Sequence, residues 1–235
     1  MRSICSVSSC WSLRLTRPTT LHRAARAPAS SVAAYSTATG MAGTVEDYQQ
    51  HFHTGKILGS HALAALAPCP GLRVLDLGCG DGALTVKIAE AGAEVVGVDA
   101  DASFVAAARL LGVDARVCDG HLLDFDQEFD VVFSNAALHW MSEDPQGVVQ
   151  GVQRSPKPGG RFIAEFGGQG NVAMITEALS RELALEGLHN CNPWFFPGAD
   201  EYATMLRREG FSVDSSVLVP APTQLPPGSH MHGTR

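Results

Sequence analysis

With 235 residues, of which 45% are hydrophobic and 17% charged, the chain is long enough to bury one α/β core. The formal net charge is −7, yet residues 1–40 hold five arginines and no acid, so the remainder is strongly acidic. An acidic domain argues against binding nucleic acid, whose phosphates require a basic face. The sequence contains no uninterrupted run of about 18 apolar residues, so we expect no membrane-spanning helix. Its six cysteines are scattered and form no C-x-x-C pair, so they predict neither a metal site nor a disulfide framework.

Residues 1–40 have the composition of an organelle transit peptide, because they are rich in arginine and serine and free of acids. They also lack the apolar periodicity that packing on a core requires, so we expect a disordered extension outside the domain. A transit peptide would direct the protein to the mitochondrial matrix. Met41 opens an ordinary start sequence, and translation from there would leave the protein in the cytoplasm instead.

A strand, a glycine-rich turn and a helix follow one another in residues 73–89. Residues 73–77 form a short apolar run interrupted by Asp76, glycines stand at 78, 80 and 82, and a helical pattern begins at Ala83. Such a turn brings bare backbone N–H groups close to a ligand at the end of the strand. The segment therefore predicts a nucleotide-type cofactor site in an open α/β sheet.

Two cofactors compete for this site. Gly78, Gly80 and Ala83 satisfy the dinucleotide pattern G-x-G-x-x-G/A, and Asp99 follows where a ribose-binding acid would lie, which allows an NAD-dependent oxidoreductase. Asp76, however, would repel a pyrophosphate and suits a ligand that carries an ammonium and a sulfonium group. The stretch resembles the first motif of the class I S-adenosylmethionine-dependent methyltransferases, which makes S-adenosylmethionine the expected cofactor.

The units that follow alternate between strands and helices. Residues 94–99 predict the second strand and residues 101–111 a helix with an acidic start. Residues 115–120 predict the third strand with its polar exit, and residues 129–135 predict the fourth. We therefore expect a Rossmann-like, doubly wound, mostly parallel sheet with helices on both faces, in the order 3-2-1-4-5 followed by strand six.

Two further segments narrow the resemblance. The sequence FDVVFSNAALHW, at residues 129–140, resembles the loop after strand four in methyltransferases related to trans-aconitate methyltransferase. NPWFFPGADEYATMLRREGF, at residues 192–211, is also typical of that subgroup, and the resemblance spans roughly residues 45–222. It implies that Asp99 accepts hydrogen bonds from the ribose, that Asp119 meets the adenine amine, and that an N-terminal helix folds over the cofactor. The cofactor-binding residues implied are Tyr48, Asp76, Gly78, Cys79, Gly80, Asp99, Asp119, Gly120 and Asn135.

The acceptor side offers one candidate catalytic group. His139 lies on the loop after strand four, where it is either a general base or a hydrogen-bonded residue that shapes the pocket. Trp140, Trp194 and Phe195 are expected to wall the substrate site, although aromatic residues near a lid are often packing. Glu165, at the end of strand five, either faces the same crevice or satisfies a helix N-terminus.

The expected activity is methyl transfer to a small molecule, and a small carboxylic acid is the first candidate because an ionised carboxylate needs no base. A non-catalytic organellar assembly factor that keeps the methyltransferase fold is the alternative from a different class. After strand six, which spans roughly residues 211–219, the family continues to a last antiparallel strand, so we expect either that the sequence is truncated or that this variant lacks that strand. We therefore expect a domain at residues 41–222, a disordered tail at residues 223–235, and exposed edges on the strands that would flank the missing one.

Overall fold

The computed structural model describes residues 4–15, 60–189 and 192–223. From residue 60 onward its strands and helices mostly alternate, as the sequence pattern predicts. In chain order they are β1 Ile4–Leu15, α1 Ser60–Leu66, β2 Arg73–Leu77, α2 Ala83–Glu90, β3 Glu94–Asp99, α3 Ala102–Leu110, β4 Asp114–Val117, β5 Phe129–Asn135, α4 Pro145–Arg154, β6 Pro156–Gly167, α5 Ala173–Leu185, α6 Ala199–Arg208 and β7 Phe211–Thr223.

The strands form one seven-stranded sheet in the order β4-β3-β2-β5-β6-β1-β7. Strands β2 to β6 pair in parallel with their neighbours, which reproduces the predicted order 3-2-1-4-5. The predicted fold class is therefore confirmed. Because the carboxyl ends of parallel strands meet at one edge, the loops after β2, β3, β4 and β5 converge there.

The far side of the sheet differs from the prediction. Strand β1 lies between β6 and β7 and is antiparallel to both, although we expected residues 1–40 to lie outside the domain. It covers the edge of β6 that we expected to be exposed, because an unpaired strand edge presents N–H and C=O groups that any strand can pair with. A strand specified by its two partners needs little apolar pattern of its own, which is why the sequence did not indicate it. Residues 16–59 and 224–235 lie outside the described residues.

Buried side chains cover both faces of the sheet. On one face Leu75, Val98 and Phe162 pack against Val149 of α4 and Leu206 of α6. On the other face α1 and α2 bury Ala62, Leu66 and Ile88 against the strands β2, β5 and β6. Within the described part of the chain, no helix is long and apolar enough to cross a membrane.

Candidate functional site

The turn after β2 is built from glycines in the left-handed region. Gly78, Gly80 and Gly82 have φ values of 76°, 54° and 83°, which residues with a Cβ rarely adopt. The backbone N–H groups of Gly78 and Cys79 both donate to the carbonyl oxygen of Val98, at 2.8 and 3.0 Å. These bonds fix the turn to the neighbouring strand β3. A Cβ on Gly80 would meet no atom within 4 Å, so this glycine borders open space into which a ligand can fit.

Asp99, at the end of β3, holds the same turn. Its Oδ2 accepts a hydrogen bond from the backbone N–H of Gly80 at 2.9 Å, and its Oδ1 accepts one from Asp101 at 3.0 Å. Burial raises the pKa of Asp99, although these hydrogen bonds oppose the shift. Each carboxylate oxygen keeps a second lone pair. The predicted role as acceptor for ribose hydroxyls is therefore compatible with the position of Asp99.

Asp76, which we predicted to bind the cofactor, is buried near the end of β2. Its side chain is 3% exposed, and Oδ2 accepts a hydrogen bond from the hydroxyl of Thr85 in α2 at 2.7 Å. Burial, with a smaller contribution from the charge of Asp99, raises the pKa of Asp76 to about 7. Cys79 is also buried, and its thiol is free.

The loop after β4 contains the residues predicted to meet the adenine. Oδ1 of Asp119 accepts hydrogen bonds from the backbone N–H of His121 at 2.9 Å and from its Nδ1 at 2.7 Å. Burial alone would raise the pKa of Asp119, but the hydrogen bonds from His121 outweigh it, and the pKa is lowered overall. Gly120 lies against Met141, and a Cβ there would come within 2.6 Å of Sδ. This contact joins the adenine side to the loop after β5.

That loop begins with an unsatisfied polar atom. Oδ1 of Asn135 is buried and has no hydrogen-bond partner among the residues that the structure describes. The next residue, Ala136, has a positive φ of 55°, and its N–H donates to the carbonyl oxygen of Glu165 at 2.7 Å. A Cβ on Gly78 would overlap that of Ala137. The loop therefore lies directly against the glycine turn, with a free acceptor at its start.

His139 is held as a neutral imidazole. Its Nδ1 accepts a hydrogen bond from the backbone N–H of Gly167 at 3.3 Å. Burial lowers the pKa of His139 to about 4, so the ring is neutral at physiological pH. Because Nδ1 accepts the Gly167 N–H, the single proton of the neutral ring is assigned to Nε2. In this tautomer Nε2 is a donor, and a general base would have to accept there.

Aromatic side chains surround His139. Its ring lies 5.4 Å from Trp140 and 5.8 Å from Phe196, while Trp194 contacts Trp140 at 5.7 Å and stacks on Phe196 at 5.8 Å. Phe195, which we predicted in the substrate wall, is partly buried, with its ring 6.4 Å from Tyr202, and it also lines the groove described below. Its neighbour Phe196 is the one that lies against His139, a distinction between adjacent residues that the sequence pattern does not make.

A groove beside this aromatic cluster has a volume of about 660 Å³ and is lined by acidic residues, among them Glu143, Asp144, Asp200 and Glu201. It shares only Phe195 with the predicted site. The structure thus brings the predicted cofactor residues, other than Tyr48, to the carboxyl edge of the parallel strands, next to His139 and Trp140. Tyr48 lies outside the described residues.

Comparison with known proteins agrees with this geometry. Residues 75–164 match the family model described as a methyltransferase domain. An uncharacterized methyltransferase of Schizosaccharomyces pombe is 44% identical over 165 residues, which are 65% of this chain and 64% of that protein. The ubiquinone biosynthesis O-methyltransferase of Paramagnetospirillum magneticum is 32% identical over 158 residues, 63% of this chain and 62% of that protein. The chain therefore spans less than two thirds of the length of these relatives.

Solved structures share the fold. In the complex between the Haloferax volcanii Trm112 methyltransferase activator and a methyltransferase, one chain superposes with a TM-score of 0.52, 25% identity and 71% coverage of both chains. An S-adenosylmethionine-dependent methyltransferase from Mesorhizobium loti gives a TM-score of 0.50 at 24% identity, covering 66% of this chain and 81% of that one.

Residues 75–164 thus match a methyltransferase-domain model and the sheet order is the predicted Rossmann-like one, so the chain is similar to class I S-adenosylmethionine-dependent methyltransferases. The predicted cofactor, S-adenosylmethionine, is confirmed. The methyl acceptor and the trans-aconitate-related subgroup are finer predictions, which the next subsection takes up.

Proposed function

We propose that the protein is an S-adenosylmethionine-dependent methyltransferase of small molecules whose acceptor atom already carries a free lone pair when it binds. A small carboxylic acid of the trans-aconitate type is the first candidate. The observation that carries this proposal is the state of His139, whose Nδ1 accepts the Gly167 N–H while burial lowers its pKa to about 4. The best candidate for a base is thereby a hydrogen-bond donor.

The residues at the glycine turn fit the cofactor. Gly80 leaves open space beside backbone N–H groups, and the orphaned Oδ1 of Asn135 suits the ammonium group of a methionine moiety. Asp99 would accept from the ribose and Asp119 from the adenine amine. S-adenosylmethionine supplies an electrophilic methyl group together with its own leaving group. The chain then has to orient the acceptor for in-line attack and exclude water.

A carboxylate acceptor matches the donors near His139. Nε2–H of His139 makes no hydrogen bond within the described residues, and the same holds for the indole N–H of Trp140, whose side chain is 39% exposed. Two N–H donors at an aromatic wall can hold an ionised carboxylate through charge-assisted hydrogen bonds. An ionised carboxylate attacks without losing a proton, so neutral His139 is sufficient.

A hydroxyl acceptor is the second candidate, because the relatives include ubiquinone biosynthesis O-methyltransferases. A phenol or alcohol must lose its proton during transfer, which requires a base. His139 in the observed tautomer does not provide one. The carboxylic acid therefore remains the first candidate.

Transfer of a labelled methyl group, measured against matched panels of small carboxylic acids, phenols and amines, tests the proposal. Turnover confined to the acids is the expected result, and turnover with phenols alone would contradict it. Binding of S-adenosylmethionine in a parallel titration without any turnover would favour the non-catalytic assembly factor. Binding of a nicotinamide cofactor in place of S-adenosylmethionine would favour the oxidoreductase.

Location in the mitochondrial matrix remains a prediction from residues 1–40. The pairing of β1 with β6 and β7 makes it testable, because removal of a leader that includes residues 4–15 would also remove a strand of the sheet. We expect protein recovered from mitochondria to show by N-terminal sequencing whether this strand is retained. An N-terminus after Leu15 would show that the imported protein lacks this strand.

A further inference from the structure

His121 is a partly buried residue that the proposed chemistry does not use. It lies in the loop after β4, two residues beyond Asp119, and its side chain is 22% exposed. Both nitrogens of the ring have a polar partner. Nδ1 lies 2.7 Å from Oδ1 of Asp119, and Nε2 lies 3.4 Å from the backbone nitrogen of Asp144. The ring therefore connects the loop after β4 with the start of α4.

These two partners assign the proton of the imidazole. Asp144 donates its backbone N–H, so Nε2 of His121 accepts and carries no proton. The single proton of the neutral ring then lies on Nδ1, which donates to Oδ1 of Asp119. His139 has the opposite tautomer, because its Nδ1 accepts a backbone N–H. A backbone donor thus determines which nitrogen of each histidine is free to donate.

His121 holds one oxygen of Asp119 and leaves the other free. Oδ1 accepts the backbone N–H of His121 at 2.9 Å in addition to the ring N–H. Oδ2 makes no hydrogen bond within the described residues, and the side chain of Asp119 is 51% exposed. Although partial burial acts to raise the pKa of Asp119, the bonds from His121 lower it overall. Asp119 is therefore an ionised acceptor with one oxygen open to a ligand.

The partner of His121 on its other side is itself fixed. Oδ1 of Asp144 accepts the N–H of Gly147 at 2.9 Å, which makes Asp144 the N-cap of α4. Between the two acids, buried Gly120 packs against Met141, where a Cβ would come within 2.6 Å of Sδ. The loop after β4 is consequently anchored to a capped helix start. A side chain that is ordered in advance loses less entropy when it meets a ligand.

We propose that His121 is a positioning residue that sets the specificity for adenine, because it holds Oδ1 of Asp119 and keeps Oδ2 ready to accept from the exocyclic amine. His121 acts only through Asp119 and does not itself touch the cofactor. The inference rests on the proposed role of Asp119 as the acceptor for this amine. It extends that role by naming the group that orders the carboxylate before the cofactor binds.

Isothermal titration with two ligands isolates recognition of the amine. One ligand is S-adenosylhomocysteine, and the other is its analogue in which hydrogen replaces the exocyclic amine of adenine. We expect the wild type to prefer the first by roughly 10- to 100-fold, the range for a hydrogen bond to a charged group. Asp119→Ala should abolish this preference. His121→Ala should reduce it roughly 2- to 10-fold, the cost of ordering a released side chain on binding, and should leave affinity for the analogue within about twofold.

His121→Asn and His121→Gln separate the two bonds of the ring. The asparagine amide takes the place of Nδ1 and can still donate to Asp119, whereas the glutamine amide reaches the place of Nε2 and can accept from Asp144. We expect His121→Asn to retain the wild-type preference for the amine and His121→Gln to lose as much of it as His121→Ala. The reverse order, or equal losses in both variants, would overturn the proposal, because the contact with Asp144 would then explain the effect.

The same titrations distinguish failure of this inference from failure of the proposed function. If Asp119→Ala loses the preference and His121→Ala keeps it, only the role of His121 is wrong. If Asp119→Ala keeps the preference, the adenine assignment of Asp119 is wrong, and the inference falls with it. A wild-type chain that binds neither ligand contradicts the proposed function as a whole.

Discussion

The cofactor half and the acceptor half of the site are built in different ways. At the cofactor half, backbone geometry dominates, since glycines with positive φ are fixed by Asp99, which lies 19 residues from Gly80. At the acceptor half, side chains from distant segments meet, with His139 bonded to Gly167, 28 residues away, and Ser142 bonded to Pro193, 51 residues away. A local motif specifies the first half, whereas the second exists only once the sheet has formed.

The halves also differ in the sign of the charge that burial disfavours, which is negative on Asp76 and positive on His139. Asp76 near the end of β2 has a pKa raised to about 7, whereas His139 in the loop has a pKa lowered to about 4. Both shifts favour the neutral form of a buried group. Their effects on stability have opposite signs with pH, and this difference can be measured separately for each half.

The largest effect is expected at the joint between the halves. In Gly78→Ala the new Cβ would overlap that of Ala137 and would require alanine at a φ of 76°. Left-handed strain and overpacking each cost roughly 1–3 kcal/mol, so we expect a loss of about 3 kcal/mol or more in the free energy of unfolding. Urea denaturation measures this loss.

Gly112→Ala is the matched control for Gly78→Ala. Gly112 has a φ of 86°, but a Cβ there would meet nothing within 4 Å. It therefore carries the backbone strain without the overlap, and about 1 kcal/mol is expected. Equal losses in the two variants would show that the contact between Gly78 and Ala137 contributes nothing.

The fold and the cofactor half could be read from the sequence because their signals are local. Alternating strand and helix patterns predicted the order of five strands, and the glycines with Asp99 predicted the turn. Three features escaped because they depend on distant partners. Strand β1 is specified by the two strands it joins, Asp76 is buried and accepts a hydrogen bond from Thr85, and Phe196 rather than Phe195 contacts His139. In each case the deciding neighbour is absent from the local pattern.

Asp99→Ala should give the next largest effect, and this effect should be confined to the cofactor half. Loss of hydrogen bonds to the ribose should weaken S-adenosylmethionine binding by roughly 1.5–3 kcal/mol, as for hydrogen bonds to charged groups. Part of this loss reflects the turn, because Gly80 N–H also loses its partner. Isothermal titration measures the affinity, and an unchanged value would refute the ribose assignment. Asp101→Ala is the control, since it removes only the helix cap on Ser103 and should cost about 1 kcal/mol of stability.

Asp76→Asn tests the charge of the cofactor half. With a pKa of about 7 in the folded state and 3.8 as the reference value, Asp76 retains a proton that the unfolded chain releases between these limits. Wild-type stability should therefore fall as pH rises from 4 to 7, by at most about 1.4 kcal/mol per pH unit. Asp76→Asn should lose this dependence while it keeps an acceptor for Thr85. Urea midpoints at pH 5, 6, 7 and 8 measure the difference, and parallel profiles would show that Asp76 is ionised throughout.

His139→Gln, whose effect on stability at neutral pH is expected to be the smallest, tests the acceptor half. The pKa of His139 is about 4 when folded and 6.5 as the reference value, so the unfolded chain binds a proton that the folded one rejects. The wild type should therefore lose stability as pH falls from 6.5 to 4, opposite to Asp76, and His139→Gln should abolish this loss. A histidine with the reference pKa of 6.5 would change its charge, and any activity that depends on it, near pH 6.5. The buried ring moves any such change to about pH 4.

The kinetics of His139→Gln decide between the two roles of the residue. If Nε2–H positions an ionised acceptor, the Michaelis constant should rise roughly 10- to 100-fold, as for one lost hydrogen bond to a charged group, while turnover changes little. Turnover of the wild type should also be independent of His139 ionisation between pH 5.5 and 8. A general base would behave differently, because its removal lowers turnover by roughly 10²–10⁴ with substrate affinity intact. That outcome would mean that the Gly167 bond opens during the reaction and that the acceptor is a hydroxyl or a protonated amine.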